Sequence, residues 1–481
     1  MPASPPALPS GDFVRTVRRV FLLVPLAVAG LLLIGFVVFV LRSGADVRRL
    51  ESAARARSEP FTLAEVAQTY APIPDEENAA VPLLALWRSE DPEFWEAYLK
   101  FGTNSLPTPK GSERLRAFRD KSTAEIRRGE FSAAEVEQLT TEVADHAAHR
   151  EAVREALARP QFRFPLQLAA GAGTLMPHLA RMKEVALEFR AEGWLAVQLG
   201  DADRAIRALT DSASLAQLLQ DEPILISQLV RISGCALALS QAEQLLSRLR
   251  LDEHHLGAVE TAIRSLSQGD GFRDSMIHER ACGIAMFENP KMLSAEVNRE
   301  EDSPENQYGL SLALAAYGVT GLRQADKVVF LATFEHQLTN APLNAPERLS
   351  AVEAAGSNVL QRIKAFPPKI ISGILLPGLS RAAQKFCHLD AHRDAALTAL
   401  AIERFRRAHD GALPETLQQL VPTWLPKIPT DIFDGQPLRY RRLDSGYVVY
   451  SVGPDRLDNG GKERPKKGNV KKFDLTFTVE R

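Results

Sequence analysis

Cysteine is scarce in this chain. There are three in 481 residues, Cys235, Cys282 and Cys387, far apart and odd in number. Neither a disulfide framework nor a C-x-x-C metal knuckle can be built from them, and isolated cysteines of this kind are expected as small core hydrophobes. A surplus of charge of either sign is missing too: 58 Lys and Arg stand against 60 Asp and Glu, a formal net charge of −2. Nucleic acid is thereby excluded as a main partner, because neutralising phosphates needs a clear basic excess. No G-x-S-x-G elbow, Walker loop or Rossmann glycine fingerprint occurs, so those chemistries have no local signature. "HERAC" at 278–282 begins like the zinc-binding HExxH, but Cys282 stands where the second histidine is needed. His254 and His255 are adjacent and are expected to point to different faces. No catalytic residue is assigned.

What the chain does have is one long stretch without charge. Between Arg19 and Arg42 runs "VFLLVPLAVAGLLLIGFVVFVL", residues 20–41. At about 1.5 Å per residue it matches the ~30 Å of a bilayer core. A cleaved signal peptide competes, but its apolar region is shorter, about 7–15 residues, and ends in small residues. The reading is therefore an uncleaved transmembrane helix, with the lipid bilayer as a partner. Arginines flank it on both sides, so local charge gives no orientation, and long domains translocate regardless of it.

The remaining 45% hydrophobic, 25% charged composition is that of a folded protein. Residues 1–19 form a short tail, 42–395 a helical domain, and 396–481 a smaller module with strands. Apolar residues recur every three or four positions through the helical domain. Capping boxes mark several starts: Thr62 with Glu65, Ser122 with Glu125, Ser132 with Glu135, and Ser350 with Glu353. The first sits in "FTLAEV", which imitates a prepilin processing signal. The run after it is broken by proline and too polar to cross a membrane, so an ordinary helix start is expected there. Breaks are predicted at 101–112, 288–309, 339–347 and 366–378 ("FPPKIISGILLPG", read as a buried turn). Asp75, Glu76 and Glu77 before Asn78 read as an acidic first helical turn, with a cation or partner site as the alternative. Residues 186–223 are similar to a tetratricopeptide hairpin, with Phe189, Gly193, Ala196, Ala205 and Leu209 at its large and small positions and Gly200-Asp201 at the turn. Only one copy is found, and an unrelated helical hairpin remains open.

The tail carries a resemblance. "AIERFRRAHDGALP", "LVPTWLPKIPTDIFDGQPLRY" and "YVVYSVGPDRLDNGG" follow one another in the order of a helix end with a glycine turn, a proline–aspartate–aromatic turn into a strand, and a strand with an acidic glycine loop. This resembles the C-terminal domain of the major pseudopilin of type II secretion systems, over roughly 70 residues. The residues support it independently. Gly411 can cap the helix, 438–440 and 447–452 read as strands joined across "LDSG", and Phe473, Leu475, Phe477 and Val479 alternate with polar residues as a half-buried strand. In that family the acidic loop holds a structural calcium, so the resemblance implies a site at Asp455, Asp458 and Asp474. The lysines at 462, 466, 467, 471 and 472, where further aspartates belong, weaken it. No other cofactor is expected. His388 and His392, four apart on one helical face, could offer two zinc ligands.

The mainly α chain is thus expected to be a non-enzymatic, single-pass bacterial envelope protein. Its anchor would sit in the inner membrane and its bulk in the periplasm, serving interaction or scaffolding with other envelope proteins. It is also similar to bacterial membrane-anchored proteins that end in this module and carry a proline-then-"EEN" segment after the anchor. A metal-dependent hydrolase with a site assembled from distant residues, and a divergent secretion pseudopilin, are the alternatives. About 350 residues between anchor and module argue against the latter.

Overall fold

The computed structural model describes residues 11–101, 118, 121–267, 269, 271–289, 317, 321–340, 347, 349–350, 353–354, 361, 370–465 and 472–481. The chain is mainly helical, with a three-stranded antiparallel sheet near its C-terminus. The first helix, α1 (Gly11–Ala56), is a single rod of 46 residues containing Pro25. Its described side chains from Phe21 to Val38 are nearly all exposed, including Leu31, Leu32 and Ile34, whereas Ser43, Val47 and Ala54 are buried. The uncharged stretch is therefore the free half of a helix whose other half belongs to the folded body. That free half is long and apolar enough to cross a membrane.

Two short helices follow, α2 (Leu63–Thr69) and α3 (Ala80–Glu90), then α4 (Pro92–Phe101). Thr62 accepts from the Glu65 N–H while Glu65 accepts from Thr62, which makes "FTLAEV" the capped helix start expected. The acidic run behaves differently from expectation. α3 begins only at Ala80, with no acid in its first turn. Asn78 explains the shift: its side chain accepts from the N–H groups of Ala80 and Arg163 and donates to the Arg163 carbonyl, tying this segment to a chain stretch 85 residues away.

Three helices, α5 (Thr123–Arg128), α6 (Ala133–Asp145) and α7 (Ala147–Leu157), lead into the central layers. α5 and α6 carry the capping boxes of Ser122 and Ser132. Ser350 and Glu353 are both helical, and Ser350 follows the helical Leu349 rather than standing ahead of the helix as a cap; the first three predicted breaks lie largely outside the described residues. A 3-10 turn, Leu168–Gly173, precedes the next helices. The antiparallel pair α8 (His178–Leu199) and α9 (Ala202–Gln217) closes through Gly200 at φ +73° and Asp201, whose carboxylate accepts from the Arg204 N–H. Gly193 allows close approach: a Cβ there would lie 2.8 Å from Gln241 Oε1.

At the centre lies α10 (Leu225–Arg248), buried along much of its length, with α11 (Glu253–Ser265), α12 (Gly271–Glu288) and α13 (Leu322–Asn340) around it. α10 also passes a length-and-composition test for a membrane span, but half of that window is buried within the fold. One continuous core joins α9, α10, α11, α12 and the last helix, α14 (Ile370–Ala408), through residues such as Leu209, Leu239, Ile263, Met276 and Ile402.

α14 corrects the fourth predicted break. Residues 370–378 are helical, with Pro377 inside the helix. What starts the helix there is a partner distant in sequence. The fully buried carboxylate of Asp326, on α13, accepts from the N–H groups of Ile371 and Ser372 and from the Tyr317 hydroxyl. The same helix runs unbroken through residues 395 and 396.

Beyond α14 the turn closes as expected, with the Gly411 N–H donating to Arg406 at φ +90°. β1 (Arg439–Leu443), β2 (Gly446–Ser451) and β3 (Leu475–Val479) form the sheet in that order. β1 and β2 pair across the two-residue turn Asp444-Ser445, with Leu443 opposite Gly446. β2 is buried on both faces. The sheet packs on α14, where the Tyr447 hydroxyl donates to Ala399 O and Glu403. β3 is not the half-buried strand expected: Phe477, Thr478 and Val479 are all buried. The reason lies at its outer edge, where the Thr478 N–H donates to Glu243 (2.5 Å) and the Glu480 N–H to Ser247 (3.2 Å), both on α10.

Candidate functional site: a cleft between α10, α14 and the sheet

The helices α10 and α14 do not close fully against each other. Between them, and under β3, lies a cleft of about 930 Å³, within the roughly 300–1,000 Å³ usual for small-molecule sites. From Leu225 to Glu243 it follows α10 for about 27 Å at the rise of an α-helix. Its two ends differ. Leu225, Leu229 and Ile232 face Leu375 and Leu379 at one end; Ser240, Glu243, Lys385, His388, His392 and Arg464 line the rest. Gly378 also lines it, and a Cβ at that position would meet nothing within 4 Å.

The acids here are engaged. Glu243 is buried between Arg127 (3.4 Å) and the edge of β3, and burial pushes its carboxyl up to about 7 against the pull of Arg127. Glu463 pairs with Arg127 at 2.6 Å and accepts from the Thr478 hydroxyl. Asp474 accepts from the N–H groups of Asn459, Gly461 and Lys462. Burial pushes Glu279 up to about 7 as well. The cations are less committed. Arg381 and Lys385 are exposed along α14, and Arg464 lies over the Phe473 ring at 5.3 Å.

His388 and His392 sit on this cleft, as one helical face requires. His388 meets the Phe433 ring edge-on (5.5 Å) and His392 lies 6.0 Å from Phe477. Burial lowers both to about 4, in His388 assisted by Lys385, so both rings are neutral at pH 7. The Nε2 of each is shielded from solvent and has no hydrogen-bond partner. Among the described residues, no third His, Cys, Asp or Glu joins them at metal-ligand spacing.

The three aspartates named for calcium are each committed to the loop itself. Asp455 accepts from the Leu457 N–H, Asp458 from Gly460 and the Tyr450 hydroxyl, and Asp474 from the three amides above. The buried Asp474 carboxylate occupies the centre of the loop and gathers its amides. One residue of greater structural weight was passed over within the quoted "PTDIFD". Asp431, fully buried, accepts from Phe433 N, Val452 N, the Ser451 hydroxyl and Arg439. The proline–aspartate–aromatic pattern was its signal.

Elsewhere, His254 and His255 do come together, contrary to expectation. With Asp252 their ligand atoms all lie within 4.8 Å, an arrangement that the Asp252 cap at the start of α11 produces. His255 is already held by Asp252 and Asp203, and the positive end of the helix opposes a cation there. In "HERAC", His278, Arg280, Ala281 and Cys282 are buried, with Cys282 Sγ 3.6 Å from the His278 ring. A second buried pair, His178 Nε2 and Glu222 at 2.8 Å, stacks on Phe164.

No protein-family model, curated protein or solved structure matches this chain.

Proposed function

We propose that this is a non-enzymatic, single-pass envelope protein of the bacterial inner membrane, its body on the periplasmic side, acting as an interaction component. The observation that carries the reading is the continuity of α1. One helix passes from a bare apolar half into a buried half without a linker, so the body is held rigidly rather than on a flexible tether. The junction is locked by charge: Arg57 pairs with Glu335 on α13 (2.6 Å), and buried Glu59 with Arg280 on α12 (2.8 Å). The α8–α9 hairpin and the C-terminal sheet are read here as a tetratricopeptide-like hairpin and a pseudopilin-like module, fused to that body. A polymerising pseudopilin is disfavoured, because the second half of α1 runs into a large helical body rather than straight into the C-terminal module.

The test is carbonate washing of vesicles carrying the full chain with a compartment-sensitive reporter after Arg481. Retention in the pellet with a periplasmic signal supports the reading. Release of the chain, or a cytoplasmic signal, overturns it.

A further inference from the structure

The cleft has a direction. Val40, at the end of the bare half of α1, packs on Gly321, where a Cβ would come within 2.6 Å of its side chain. Five residues on, about 7.5 Å along α13, Asp326 holds the start of α14. The leucine-lined end of the cleft, at Leu375 and Leu379, is therefore the end nearest the apolar anchor. Two exposed isoleucines, Ile226 and Ile374, stand beside it. Moving along α14, away from that end, the lining turns to Lys385, His388, His392 and Arg464.

Charge narrows the occupant. The carboxylates of Glu243, Glu463 and Asp474 are satisfied by Arg127 or by backbone amides. The two Nε2 atoms are sealed from water, so the histidines present neutral ring edges rather than an acceptor to the cleft. Glu279, the remaining acid, lies at the leucine-lined end, where it accepts from the Leu225 N–H and burial pushes its carboxyl up to about 7. The far end of the cleft therefore meets a ligand with cationic and neutral groups, beyond an apolar trough.

We infer that the cleft binds a single-chain anionic amphiphile drawn from the bilayer, a long-chain fatty acid. Its hydrocarbon tail lies between α10 and α14 at the anchor end, and its carboxylate lies against Lys385, Arg464 and the histidine edges. The orientation is that of a molecule lifted out of the near leaflet, head away from the membrane. This deepens the anchored reading and rests on it for the supply of ligand.

The test uses the full chain in phosphatidylcholine vesicles containing palmitate with a diazirine near its methyl end, photolysed and mapped by peptide. Labelling of 225–236 and 375–389, in addition to α1, is the expected result. Gly378→Phe, which fills open space, should cut that labelling about tenfold and leave α1 labelling unchanged; Ala236→Phe is the second filling variant. The corresponding diazirine alcohol should label the cleft less than palmitate does. Labelling confined to α1, or undiminished in both filling variants, overturns the proposal. Equal labelling by the alcohol removes the anionic head, and stronger competition by phosphatidylglycerol than by palmitate removes the single chain. If α1 itself stays unlabelled the anchored reading fails; labelled α10 and α14 would then still uphold the cleft, since dispersed palmitate reaches it from water.

Discussion

Thr478 in β3 donates its backbone N–H to the buried carboxylate of Glu243 on α10, 235 residues earlier in the chain. An edge strand ordinarily presents unpaired amides to solvent; here a helix side chain takes that role. Arg127 completes the arrangement by facing Glu243, Glu463 and Glu480. Glu243→Ala would leave a buried N–H without an acceptor and remove one partner of a buried guanidinium. Urea unfolding of the full chain in detergent should show a loss of about 2–4 kcal/mol. Glu243→Gln, which keeps an acceptor oxygen, should lose less.

The junction between anchor and body makes a second prediction. Glu59 accepts from Arg57, Arg273 and Arg280 at 2.9, 3.3 and 2.8 Å, with its side chain almost wholly buried. Glu59→Ala leaves the buried Arg280 without its carboxylate. Hydrogen exchange of the peptide covering 54–62 should accelerate, and stability should fall by roughly 3 kcal/mol or more. Unchanged protection there would mean that packing alone holds α1.

Gly446 opens β2 at φ +114°, and a Cβ there would lie 1.9 Å from the Val479 carbonyl oxygen. Gly446→Ala should therefore unpair β3 from β2 at a cost of about 3 kcal/mol. Loss of thermal stability without loss of far-ultraviolet helical signal is the expected signature.

Acid sensitivity follows from the cleft histidines. Their folded values, near 4, lie below the unfolded value of 6.5, so between these limits the unfolded chain binds more protons. Stability from this source is present above pH 6.5 and is lost as pH falls through 4. Glu243 acts in the opposite sense, its raised carboxyl favouring the folded state at lower pH and losing that contribution as pH rises through about 7. A comparison of wild type with His388→Gln/His392→Gln isolates the histidines. The variant should gain relative stability from pH 6.5 to 4, on the order of 2 kcal/mol per histidine at the acid end. Parallel pH curves for the two proteins would contradict this.

The acidic loop provides the last prediction. Because Asp474 gathers three backbone amides directly, chelators should leave the melting temperature unchanged, while Asp474→Ala should lower it by several degrees. A chelator-sensitive melt would instead give Asp455, Asp458 and Asp474 their calcium.

Much of the local structure is legible in the sequence. Ser122 and Ser132 start helices because each offers a hydroxyl with a glutamate three residues on, a geometry complete within one turn. Asp444-Ser445 turns the first hairpin between two adjacent strands, again within a few residues. The Pro377-Gly378 pair misled, since proline and glycine report only the cost of a helix and not what repays it. Asp75 to Glu77 misled similarly, because the Asn78 bonds to Arg163 decide where α3 begins.

By itself, then, the sequence determined the uncharged apolar half of α1, the capped helix starts and the alternation that makes strands, all of which depend on residues within a few positions of one another. The tertiary structure alone decided that Asp326 would begin α14 from 45 residues away, that Glu243 would seal the edge of β3, and that two neutral histidines would meet leucines along one cleft. Those outcomes depend on which buried polar group finds which partner once the helices pack. Desolvation makes that choice costly to miss, and no local pattern encodes it.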